Sequence, residues 1–343
     1  MDVPWAWVPV AEDPKNPLVE EFARLEPRIV PGASIWKRST FAVGPVWQRE
    51  RCDLAFATAY FVPVHGIPVV ANFFDSNIYE HFGTWVKTGR LLNALLIRAL
   101  SDFAIFRAKK LFVLSQYCAG YLARHFKGAA GKIVAAAPGC SPPKPKPEGH
   151  RPDWARDLTE PFLLYVGTFS ENKNQRRLIE AYGLLQKEGR PLPPLLILGP
   201  CDPDYHEAAL APALKSCPRP DRILLPGRVS EDDLIWAYHE ALAYVQPSIA
   251  EGFGMPVIEA MSYGLPVACS NTTSLPETAG GAALLFDPVS LRSLGEALLR
   301  LAGDETLRRE LRHKAATRWK AFTWEANARV VSQQIAATLG LPA

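Results

Sequence analysis

The densest group of residues that could do chemistry lies in segment 243–271, AYVQPSIAEGFGMPVIEAMSYGLPVACSN. Its pattern predicts a strand, a loop, a helix, a glycine turn and a second strand. Gly252 and Gly254 remove side chains where the backbone turns, and Pro256 suits the first position of a helix. The N–H groups near residues 252–256 should therefore point out of the carboxyl end of the first strand, where a helix N-terminus attracts anions. The segment predicts a site for a diphosphate.

Two carboxylates flank this loop. Glu251 lies on the loop and Glu259 lies eight residues later, in the predicted helix, so both can face the same pocket. A carboxylate accepts two hydroxyl hydrogen bonds at once, which suits one acid beside sugar hydroxyls and the other beside a ribose. Either acid alone would be better explained as an exposed loop or helix-face residue. The pair around a Gly-x-Gly loop favours a binding site.

The elements that must position these residues alternate short β-branched runs with helical patterns, which predicts an α/β fold with parallel sheets. The first group of predicted strands is 54–57, 68–72, 110–113 and 133–136, with helices at 86–106 and 116–126. The second group of predicted strands is 162–166, 195–198, 223–225, 243–246, 266–269 and 283–285. The helices predicted among them are 174–187, 206–216, 231–240, 256–263, 290–302 and 304–320.

A proline-rich stretch separates the two groups. Its sequence, PGCSPPKPKPEGHRP, cannot continue a helix or a central strand and should run extended. A length of 343 residues, at about 150 residues per domain, also indicates two domains. We predict a first domain over 1–145, a linker over 146–160, a second domain over 161–322 and a final helix over 323–343.

The formal charge of +3 hides an asymmetry. Residues 1–150 carry 18 basic and 12 acidic side chains (+6), and residues 151–343 carry 20 and 23 (−3). Within 81–146, eleven Lys and Arg side chains accompany one acid, Asp102. Such a basic face would favour an anionic membrane surface or a phosphate-bearing acceptor, although solvated helix faces explain the count equally well. Segment 85–100 is apolar enough to lie on a membrane, but burial against the sheet is favoured.

Several classes of protein are excluded by the same composition. The net charge is too small to predict a nucleic-acid partner. Six cysteines without a CxxC pair and seven histidines without HxxxH or HExxH spacing predict neither a zinc site nor a disulfide framework. The start of the chain lacks a signal-peptide pattern, and the longest apolar runs fall short of about 18 residues. We expect a cytoplasmic protein that does not span a membrane and holds neither a metal nor another cofactor.

The loop and its two acids also resemble a known family. EGFGMPVIEAMSYGLPV is similar to the E-x7-E signature of the retaining GT4-type glycosyltransferases of GT-B fold (glycosyl transferase group 1). LYVGTFSENKNQRRLIEAY, residues 164–182, resembles their first donor-domain strand and donor-phosphate segment. The likeness covers residues 160–335 in family order and is weaker before the linker, in VVANFFDS and RAKKLFVLSQYCAGYLARHF. It implies two Rossmann-like domains facing each other across a cleft, the first on the acceptor side, the second binding the donor, and a final helix that crosses back.

The resemblance also implies roles for matching residues. Lys173 is expected to contact the donor diphosphate, Glu251 to lie beside the transferred sugar and Glu259 to bind the nucleotide ribose. Such enzymes retain the anomeric configuration without a metal, because a lysine and helix N-terminal amides stabilise the leaving diphosphate. The other donor-binding positions, for the phosphates, the sugar and the base, are Gly167, Arg228, Val229, Gly252, Phe253 and Gly254.

On the acceptor side the sequence departs from the family pattern. Phe74 stands where a histidine usually precedes an aspartate, so Asp75 is the third predicted catalytic residue and His81 the next polar candidate. No glycine occurs between Met1 and Gly32, where relatives carry a Gly-rich loop. The first domain is therefore predicted to be abbreviated with a rebuilt acceptor loop, unless the start codon is assigned late.

The donor segment departs at one position. Asn172 precedes Lys173 where related GTxxxRKN strings carry an arginine. One phosphate-neutralising charge is thus missing, and Arg176 or Arg177 could replace it.

These residues predict transfer of a hexose, with retention, from a nucleotide diphosphate sugar to a glycan or polyprenyl-diphosphate-linked acceptor in polysaccharide or glycoconjugate biosynthesis. The GTFSENKN string resembles mannosyl- and rhamnosyl-transferring relatives, so GDP-mannose is the first expectation for the donor. Peripheral contact with an anionic membrane at its inner face is a further expectation. A rival interpretation is a catalytically silent GT-B module that binds nucleotide sugar or a partner enzyme; an epimerase would need more acid/base residues. The absence of a GxGxxG string after a strand argues against hydride transfer.

Overall fold

A four-stranded parallel sheet forms the centre of the first part of the chain. The computed structural model describes residues 10–11, 28–29, 49–57, 62, 66–73, 77–80 and 91–341. A separate parallel pair is formed by β1 (Val10–Ala11) and β2 (Arg28–Ile29). The sheet has the order β3 (Ala55–Ala57), β4 (Val69–Phe73), β5 (Lys110–Val113) and β6 (Ile133–Ala135). Its helices are α1 (Asn77–Glu80), α2 (Leu91–Arg107) and α3 (Gln116–His125), followed by a 3-10 helix, Lys127–Lys132.

The second sheet has six parallel strands. They are β7 (Leu163–Val166), β8 (Leu195–Leu198), β9 (Ile223–Gly227), β10 (Ala243–Gln246), β11 (Val267–Ser270) and β12 (Ala283–Phe286). The sheet order is β12-β11-β10-β7-β8-β9. The chain therefore enters at a central strand, builds outward to β9 and returns to the other side of β7, so the order reverses between β7 and β10. Such a reversal opens a crevice at the carboxyl ends of the two strands, where open α/β sheets bind ligands.

Helices connect these strands. They are α4 (Gln175–Lys187), α5 (Pro203–Tyr205, His206–Leu210 and Ala211–Ser216 in succession), α6 (Glu231–Glu240), α7 (Met255–Ser262), α8 (Leu275–Ala279), α9 (Leu291–Gly303) and α10 (Glu305–Arg318). Short 3-10 helices are Asp153–Ala155, Glu171–Lys173, Pro220–Arg222 and Trp319–Ala321. Serine and aspartate side chains cap several N-termini, as Ser230 does for α6 and Asp304 for α10.

Several elements differ from the sequence prediction, which did not include β1, β2 or α1. α5 begins at Pro203, three residues early, because Asp202 caps it, and its middle segment is a π-helical turn. α8 was not predicted, since NTTSLPETAGG has the composition of a turn. Leu275 at its start is fully buried, which anchors this short helix.

The chain divides into two compact units. Described residues within 1–137 and 325–343 form the first, and residues 138–324 form the second. The last helix, α11 (Trp324–Leu339), contributes buried Ile335 to a cluster with Val70 and Phe112 of the first sheet. Asn327 of this helix donates from Nδ2 to the carbonyl oxygens of Ala136 and Ala137, at 3.1 and 2.9 Å.

The proline-rich stretch belongs to the second unit, so the division falls at 137/138, whereas the sequence placed it at 145/146. It is extended, as predicted, but it is attached along α6. Lys144 and Lys146 pair with Glu231 and Glu240 of that helix, and His150 Nε2 lies 2.7 Å from an oxygen of Asp233. These side-chain pairs attach the stretch to α6, whereas a free linker would have no such contacts.

The expectation that segment 85–100 is buried against the sheet is wrong for most of its leucines. Residues 85–90 lie outside the described residues, and within α2 the side chains of Leu92, Leu95 and Leu96 are exposed. The polar residues of α2 are spread around the helix, so no periodic signal identifies its buried face. Among the described residues, no helix combines the length and apolar character needed to cross a bilayer.

Candidate active site

The carboxyl ends of β7 and β10 bring the strongest predicted residues together. Lys173 lies in the 3-10 helix that follows β7, and Glu251 lies in the loop that follows β10. Lys173 Nζ donates to both carboxylate oxygens of Glu251, at 2.7 and 2.8 Å. The two side chains are 28% and 9% exposed, so the pair lies at the border between the protein interior and the crevice. Two predicted residues, 78 positions apart in sequence, thus form one ion pair at the point where the strand order reverses.

A buried hydrogen-bond network fixes the carboxylate of Glu251. Gln246 Nε2 donates to Glu251 Oε1 at 3.0 Å, and the Ser248 hydroxyl donates to the same oxygen at 2.8 Å. Gln246 also donates to Ser248 at 2.7 Å and accepts from the Tyr244 hydroxyl. Gln246, Ser248 and Tyr244 are fully buried. Lone pairs of Glu251 are therefore used by fixed donors, which prevents rotation of the carboxylate.

The backbone of Glu251 is held by the segment that follows β11. Its N–H donates to the Thr273 hydroxyl at 3.0 Å, and its carbonyl accepts from the Ser274 hydroxyl at 2.8 Å. The Thr272 hydroxyl donates to the carbonyl of Ile249 at 2.9 Å. Thr273 has a φ of 51°, a left-handed conformation that is rare for a β-branched residue. The contact with Glu251 accompanies this strain, so the SNTTS segment, residues 270–274, holds the loop that carries Glu251.

Asn172 and Asn174 fix the loop on both sides of Lys173. Asn172 Nδ2 donates to the carbonyl of Ala250 at 2.8 Å, and Asn174 Nδ2 donates to the carbonyls of Pro247 and Pro288, both at 2.9 Å. Asn174 is buried and has a φ of 63°, which asparagine tolerates better than most residues. Asn172 therefore joins the loops after β7 and β10, a structural contribution that the sequence interpretation did not include.

The two arginines considered as replacements for a missing charge have partners of their own. Arg176 Nη1 lies 2.7 Å from an oxygen of Glu180 on the same helix, and Arg177 Nη1 donates to the Asn174 side chain at 3.0 Å. These partners are Glu180 and Asn174, and not Lys173 or Glu251. Arg177, through Asn174, is joined to the loop that carries Lys173.

Two glycines around the crevice lie so close to neighbouring side chains that a Cβ atom would not fit. A Cβ on Gly254 would lie 2.6 Å from Leu275 Cδ2, and the residue has a φ of 96° where it precedes α7. A Cβ on Gly167 would lie 2.6 Å from the hydroxyl of Tyr165. No side chain caps α7, so its first N–H groups keep their positive field for an anion. Gly252 is buried beside them.

Phe253 has a structural position within the same loop. Its ring is 2% exposed and meets Phe322 edge to face, with centroids 5.0 Å apart. Its carbonyl accepts from the Thr278 hydroxyl of α8. The side chain of Phe253 thus anchors the loop in the second unit, and only its backbone remains suited to contact a donor.

Glu259 has different surroundings from Glu251. It lies in the second turn of α7, where the Tyr238 hydroxyl donates to Oε2 at 3.3 Å. Burial raises the pKa of Glu259, and the hydrogen bond from Tyr238 opposes that rise only in part. Tyr238 stacks on Tyr263, with centroids 4.8 Å apart. A ligand that donates hydroxyl groups would supply what this carboxylate lacks.

The remaining predicted site residues are Arg228 and Val229, which follow β9, and Asp75. Arg228, exposed, and Val229, half-buried, follow β9 and precede α6, the helix that carries Tyr238. Gly227 before them has a φ of 82° and accepts from the N–H of Gly199 at 2.9 Å. Asp75, like Phe74 and His81, lies outside the described residues. Among the described residues, no cluster of three or more His, Cys, Asp and Glu side chains could hold a metal ion.

Sequence reasoning missed the residues that position Glu251. They are Gln246, Ser248, Asn174, Thr273 and Ser274, all polar and almost all fully buried. The signal was present as polar side chains at or just after apolar strands, in VQPS and CSNTTS. Buried polar groups need hydrogen-bond partners, so polar residues at strand ends predict a network, although not its members.

Comparisons with known proteins give the same interpretation. Residues 148–318 match the family model described as glycosyl transferases group 1. The O-antigen chain mannosyltransferase B of Escherichia coli is 33% identical over 227 residues, which is 64% of this chain and 58% of that protein. The serotype-specific mannosyltransferase WbdA of Escherichia coli is 32% identical over 167 residues, 49% of this chain and 20% of that protein. The chain thus spans less than two thirds of the length of either relative.

Solved structures share the fold. A sucrose-phosphate synthase from Thermosynechococcus elongatus has a TM-score of 0.74 at 20% identity, covering 98% of this chain and 90% of that one. Anabaena HepE, solved in complex with UDP-glucose, has a TM-score of 0.70 at 17% identity, covering 95% and 89%. The predicted α/β fold with two parallel sheets is confirmed. The cleft between the domains and the abbreviation of the first domain stay predictions.

Proposed function

Because the chain belongs to the group 1 glycosyltransferase family, we propose that it transfers a hexose, with retention, from a nucleotide diphosphate sugar to a glycan or lipid-linked acceptor. The Lys173–Glu251 pair is the observation that carries this proposal. It lies at the carboxyl ends of β7 and β10, beside the uncapped N-terminus of α7. A cation, a helix dipole and a fixed carboxylate together suit a sugar attached to a diphosphate.

Lys173 and the start of α7 are proposed to bind the diphosphate. An ammonium group has three N–H donors, so Lys173 can keep one hydrogen bond to Glu251 and direct the others to phosphate oxygens. As the bond between the sugar and the diphosphate breaks, negative charge grows on the leaving phosphate. Lys173 and the N–H groups near Gly254 stabilise that charge without a metal. Gly167 leaves room for the phosphates at the end of β7.

Glu251 is proposed to lie beside the transferred sugar. Its carboxylate can accept from sugar hydroxyls, and as a fixed anion it stabilises positive charge that develops on the ring as the leaving group departs. The donors from Gln246 and Ser248 hold it in one orientation. This arrangement is organised before the substrate binds, so no reorientation is needed during the reaction.

The nucleotide and the sugar are assigned from weaker observations. Glu259 is proposed to bind the ribose hydroxyls, and the backbone at Arg228 and Val229 to hold the base. Mannose as the sugar, and GDP-mannose as the donor, is supported by the names of the two Escherichia coli relatives. Anabaena HepE was solved with UDP-glucose, so a glucose donor is the alternative that the experiment must separate.

The acceptor is proposed to be a growing glycan on a polyprenyl-diphosphate carrier, handled at the inner face of a membrane by a cytoplasmic enzyme. The first relative's name refers to O-antigen chains, which supports a polysaccharide acceptor. Asp75 is proposed as the acceptor-side catalytic residue. These assignments predict activity with a lipid-linked or glycan acceptor and none with water alone beyond slow donor hydrolysis.

A donor screen tests the proposal. GDP-mannose, UDP-glucose and other nucleotide sugars are compared by thermal shift, because a ligand at about 100 times its Kd adds about 2.7 kcal/mol to the stability of the native state. Turnover with glycan and polyprenyl-diphosphate acceptors follows, and NMR of the product reports its anomeric configuration. Lys173→Gln should lose turnover, whereas Lys187→Gln, at the far end of α4, should keep it. Donor binding without product from any acceptor would favour the catalytically silent module, and absence of all nucleotide-sugar binding would contradict both.

A further inference from the structure

Arg318, the last residue of α10, is bonded to the carboxyl end of α8. Its Nε donates to the carbonyl oxygen of Thr278 at 2.9 Å, and its Nη2 donates to the carbonyl oxygen of Glu277. Both carbonyls belong to the last turn of α8, and a helix leaves its last carbonyl groups without partners inside the helix. Arg318 therefore caps α8, the short helix that follows the SNTTS segment.

Gly280 leaves the space that the guanidinium of Arg318 occupies. A Cβ atom on Gly280 would lie 2.5 Å from Nε and 2.6 Å from Cζ of Arg318. Gly280 has a φ of 53°, in the left-handed region that glycine adopts most easily. Burial lowers the pKa of Arg318, although the charge of Glu277 raises it in part. A cation that has lost part of its hydration gains from two carbonyl acceptors, so these hydrogen bonds stabilise more than exposed ones do.

Two routes of contact lead from Arg318 to Phe253. The first passes through Thr278, which is fully buried: its carbonyl accepts from Arg318, and its hydroxyl donates to the carbonyl of Phe253. The second passes through Phe322, whose ring centroid lies 4.5 Å from Arg318 Cζ and 5.0 Å from the centroid of the Phe253 ring. These four residues, called here the Arg318 cluster, hold both the carbonyl and the ring of Phe253.

The position of Phe253 in its loop makes this support necessary. Phe253 lies between Gly252 and Gly254, and glycine allows the backbone more conformations than other residues do. Gly254 has a φ of 96° and directly precedes α7, so the direction of the first N–H groups of α7 depends on how the loop is held. These are the N–H groups that are proposed above to stabilise the leaving phosphate.

We propose that Arg318 is a positioning residue for the donor diphosphate. It fixes Phe253 from two sides, and the fixed loop directs the N–H groups near Gly254 at the phosphate that leaves. Donors that are organised in advance stabilise developing charge without reorganisation during the reaction, so their alignment affects both diphosphate binding and turnover. The inference rests on the proposed function, because that function assigns these N–H groups to the donor phosphate.

The expected loss is specific to the phosphate that is attached to the sugar. The ribose and the base are assigned to Glu259 and to residues 228–229, which are not members of the Arg318 cluster. A nucleoside monophosphate lacks the second phosphate, so its affinity should depend little on Arg318. A general loss of stability would change the affinities for both nucleotides alike. The ratio of the two dissociation constants therefore separates positioning from stability.

Titration of the full chain with GDP and GMP measures this ratio, and UDP and UMP serve as the second pair of probes. Wild type should bind the diphosphate more tightly than the monophosphate. Arg318→Met keeps an apolar stem against Phe322 but removes every N–H donor, so it should reduce this preference about tenfold. The turnover number should fall with the preference, because the same N–H groups stabilise the leaving phosphate.

Arg308→Met is the matched control. Arg308 is buried and donates to the carbonyls of Leu301 and Ala302, both at 2.7 Å, at the carboxyl end of α9. It thus makes the same kind of cap as Arg318, but at a helix end that does not belong to the Arg318 cluster. Arg308→Met should lower the melting temperature and keep the wild-type preference for the diphosphate.

Two neighbouring glycines test the proposal without removal of the arginine. In Gly280→Ala the new Cβ should displace the guanidinium of Arg318, so the preference should fall as it does in Arg318→Met. Gly281 also has a left-handed φ, 79°, but apart from its chain neighbours a Cβ there would meet no atom of the described residues within 4 Å. Gly281→Ala therefore introduces comparable backbone strain without the displacement, and it should keep the wild-type preference.

Hydrogen exchange of the ligand-free chain measures the support of the loop itself. The amides of residues 252–256 should exchange about tenfold faster in Arg318→Met than in wild type, because the loop opens more often. Arg308→Met should leave their exchange unchanged. Equal exchange in wild type and Arg318→Met would overturn the proposal.

Two results of the titration would also overturn the proposal. One is a preference for the diphosphate that persists in Arg318→Met, and the other is an equal loss of that preference in Arg308→Met. The proposed function stands in both cases, because wild type still binds the nucleoside diphosphate. If Arg318→Met does not fold, Gly280→Ala and Gly281→Ala decide in the same way. If wild type binds no nucleotide, the proposed function fails, and the exchange of residues 252–256 alone decides whether Arg318 positions the loop.

Discussion

The two glutamates of the second unit lie eight residues apart but in opposite environments. Glu251 receives hydrogen bonds from Lys173, Gln246 and Ser248 on its carboxylate. Glu259 is largely buried and receives one long hydrogen bond, from Tyr238. The first acid is held as an oriented anion, and burial raises the pKa of the second. One site is complete before the ligand binds, and the other is completed by the ligand.

This difference predicts that Glu251 acts in the chemical step and that Glu259 acts in ligand binding. A carboxylate fixed by buried donors keeps its position during a reaction, which is what stabilisation of developing charge requires. A carboxylate with unused acceptor capacity gains from hydroxyl donors, and that gain is present as soon as the ligand binds. Variants at the two acids should therefore change different kinetic constants.

The largest effect is expected at Glu251. Glu251→Gln keeps the shape but removes the charge, so kcat should fall about 1000-fold while the donor Kd changes little. Steady-state kinetics and donor titration measure the two quantities. Glu180→Gln, which removes the partner of Arg176 on α4, is the matched control and should keep kcat. A loss of less than about tenfold in Glu251→Gln would remove Glu251 from the chemistry.

A substitution in the buried hydrogen-bond network around Glu251 should give the next largest effect. Gln246→Leu removes a donor to Glu251 and leaves the Tyr244 hydroxyl without its acceptor, so stability should fall by about 2 kcal/mol and kcat by about tenfold. Denaturant unfolding and kinetics measure both.

Ser270→Ala provides the comparison for this variant. Ser270 is equally buried, but its hydroxyl donates to the backbone carbonyl of Gln246, at 3.3 Å, rather than to Glu251. The Ser270→Ala variant should therefore have a lower stability than wild type but the same kcat. Equal losses of kcat in the two variants would show that Gln246 acts through general stability only.

A smaller and different effect is expected at Glu259. Glu259→Gln should raise the donor KM about tenfold with kcat unchanged, because the charged acceptor for the ribose hydroxyls is lost. A donor with a 2′-deoxyribose should bind wild type and Glu259→Gln more nearly alike. If the variant discriminates between the two donors as wild type does, Glu259 does not contact the ribose.

The smallest expected effect is on the way that the stability of the folded protein depends on pH. Burial raises the pKa of Glu259 above its usual 4.5, so the folded protein binds the proton more tightly than the unfolded chain does. The charged form therefore costs stability as pH rises from about 4.5 through the folded pKa. Glu259→Gln should melt higher than wild type above that range, and the difference should vanish below it. Glu296→Gln, an exposed residue of α9, gives the baseline for a surface substitution, and the same pH dependence there would refute the assignment to Glu259.

Much of the fold could be predicted because buried parallel strands are continuous apolar runs. LLYV, LLIL and VACS each correspond to an observed strand. α8 escaped prediction because its stability comes from the burial of Leu275, a tertiary contact, while its composition is that of a turn. The solvent face of α2 escaped prediction because its polar and apolar residues follow no clear helical period.

The site could be predicted only in part. Glu251 and Glu259 could be found from residue type and spacing around a glycine loop, whereas Lys173 was found through the resemblance to a known family. Their partners could not, since the contact of Asn172 with Ala250 depends on which strand ends are adjacent, and that follows from the strand order. The same limit applied to Phe253, whose type fits a ligand contact but whose ring is buried on Phe322.

The two ends of the second unit lie side by side, which makes it separable in practice. The N–H of Cys140 donates to the carbonyl of Phe322 at 3.0 Å, and a Cβ on Gly139 would lie 2.3 Å from the backbone nitrogen of Trp324. A fragment with adjacent termini can be expressed alone or circularly permuted with little loss of chain entropy. Its boundaries should be 138 and 324, since a fragment that starts after residue 160 would lack the segment that pairs with α6. Nucleotide-sugar affinity could then be measured on that fragment without the first unit.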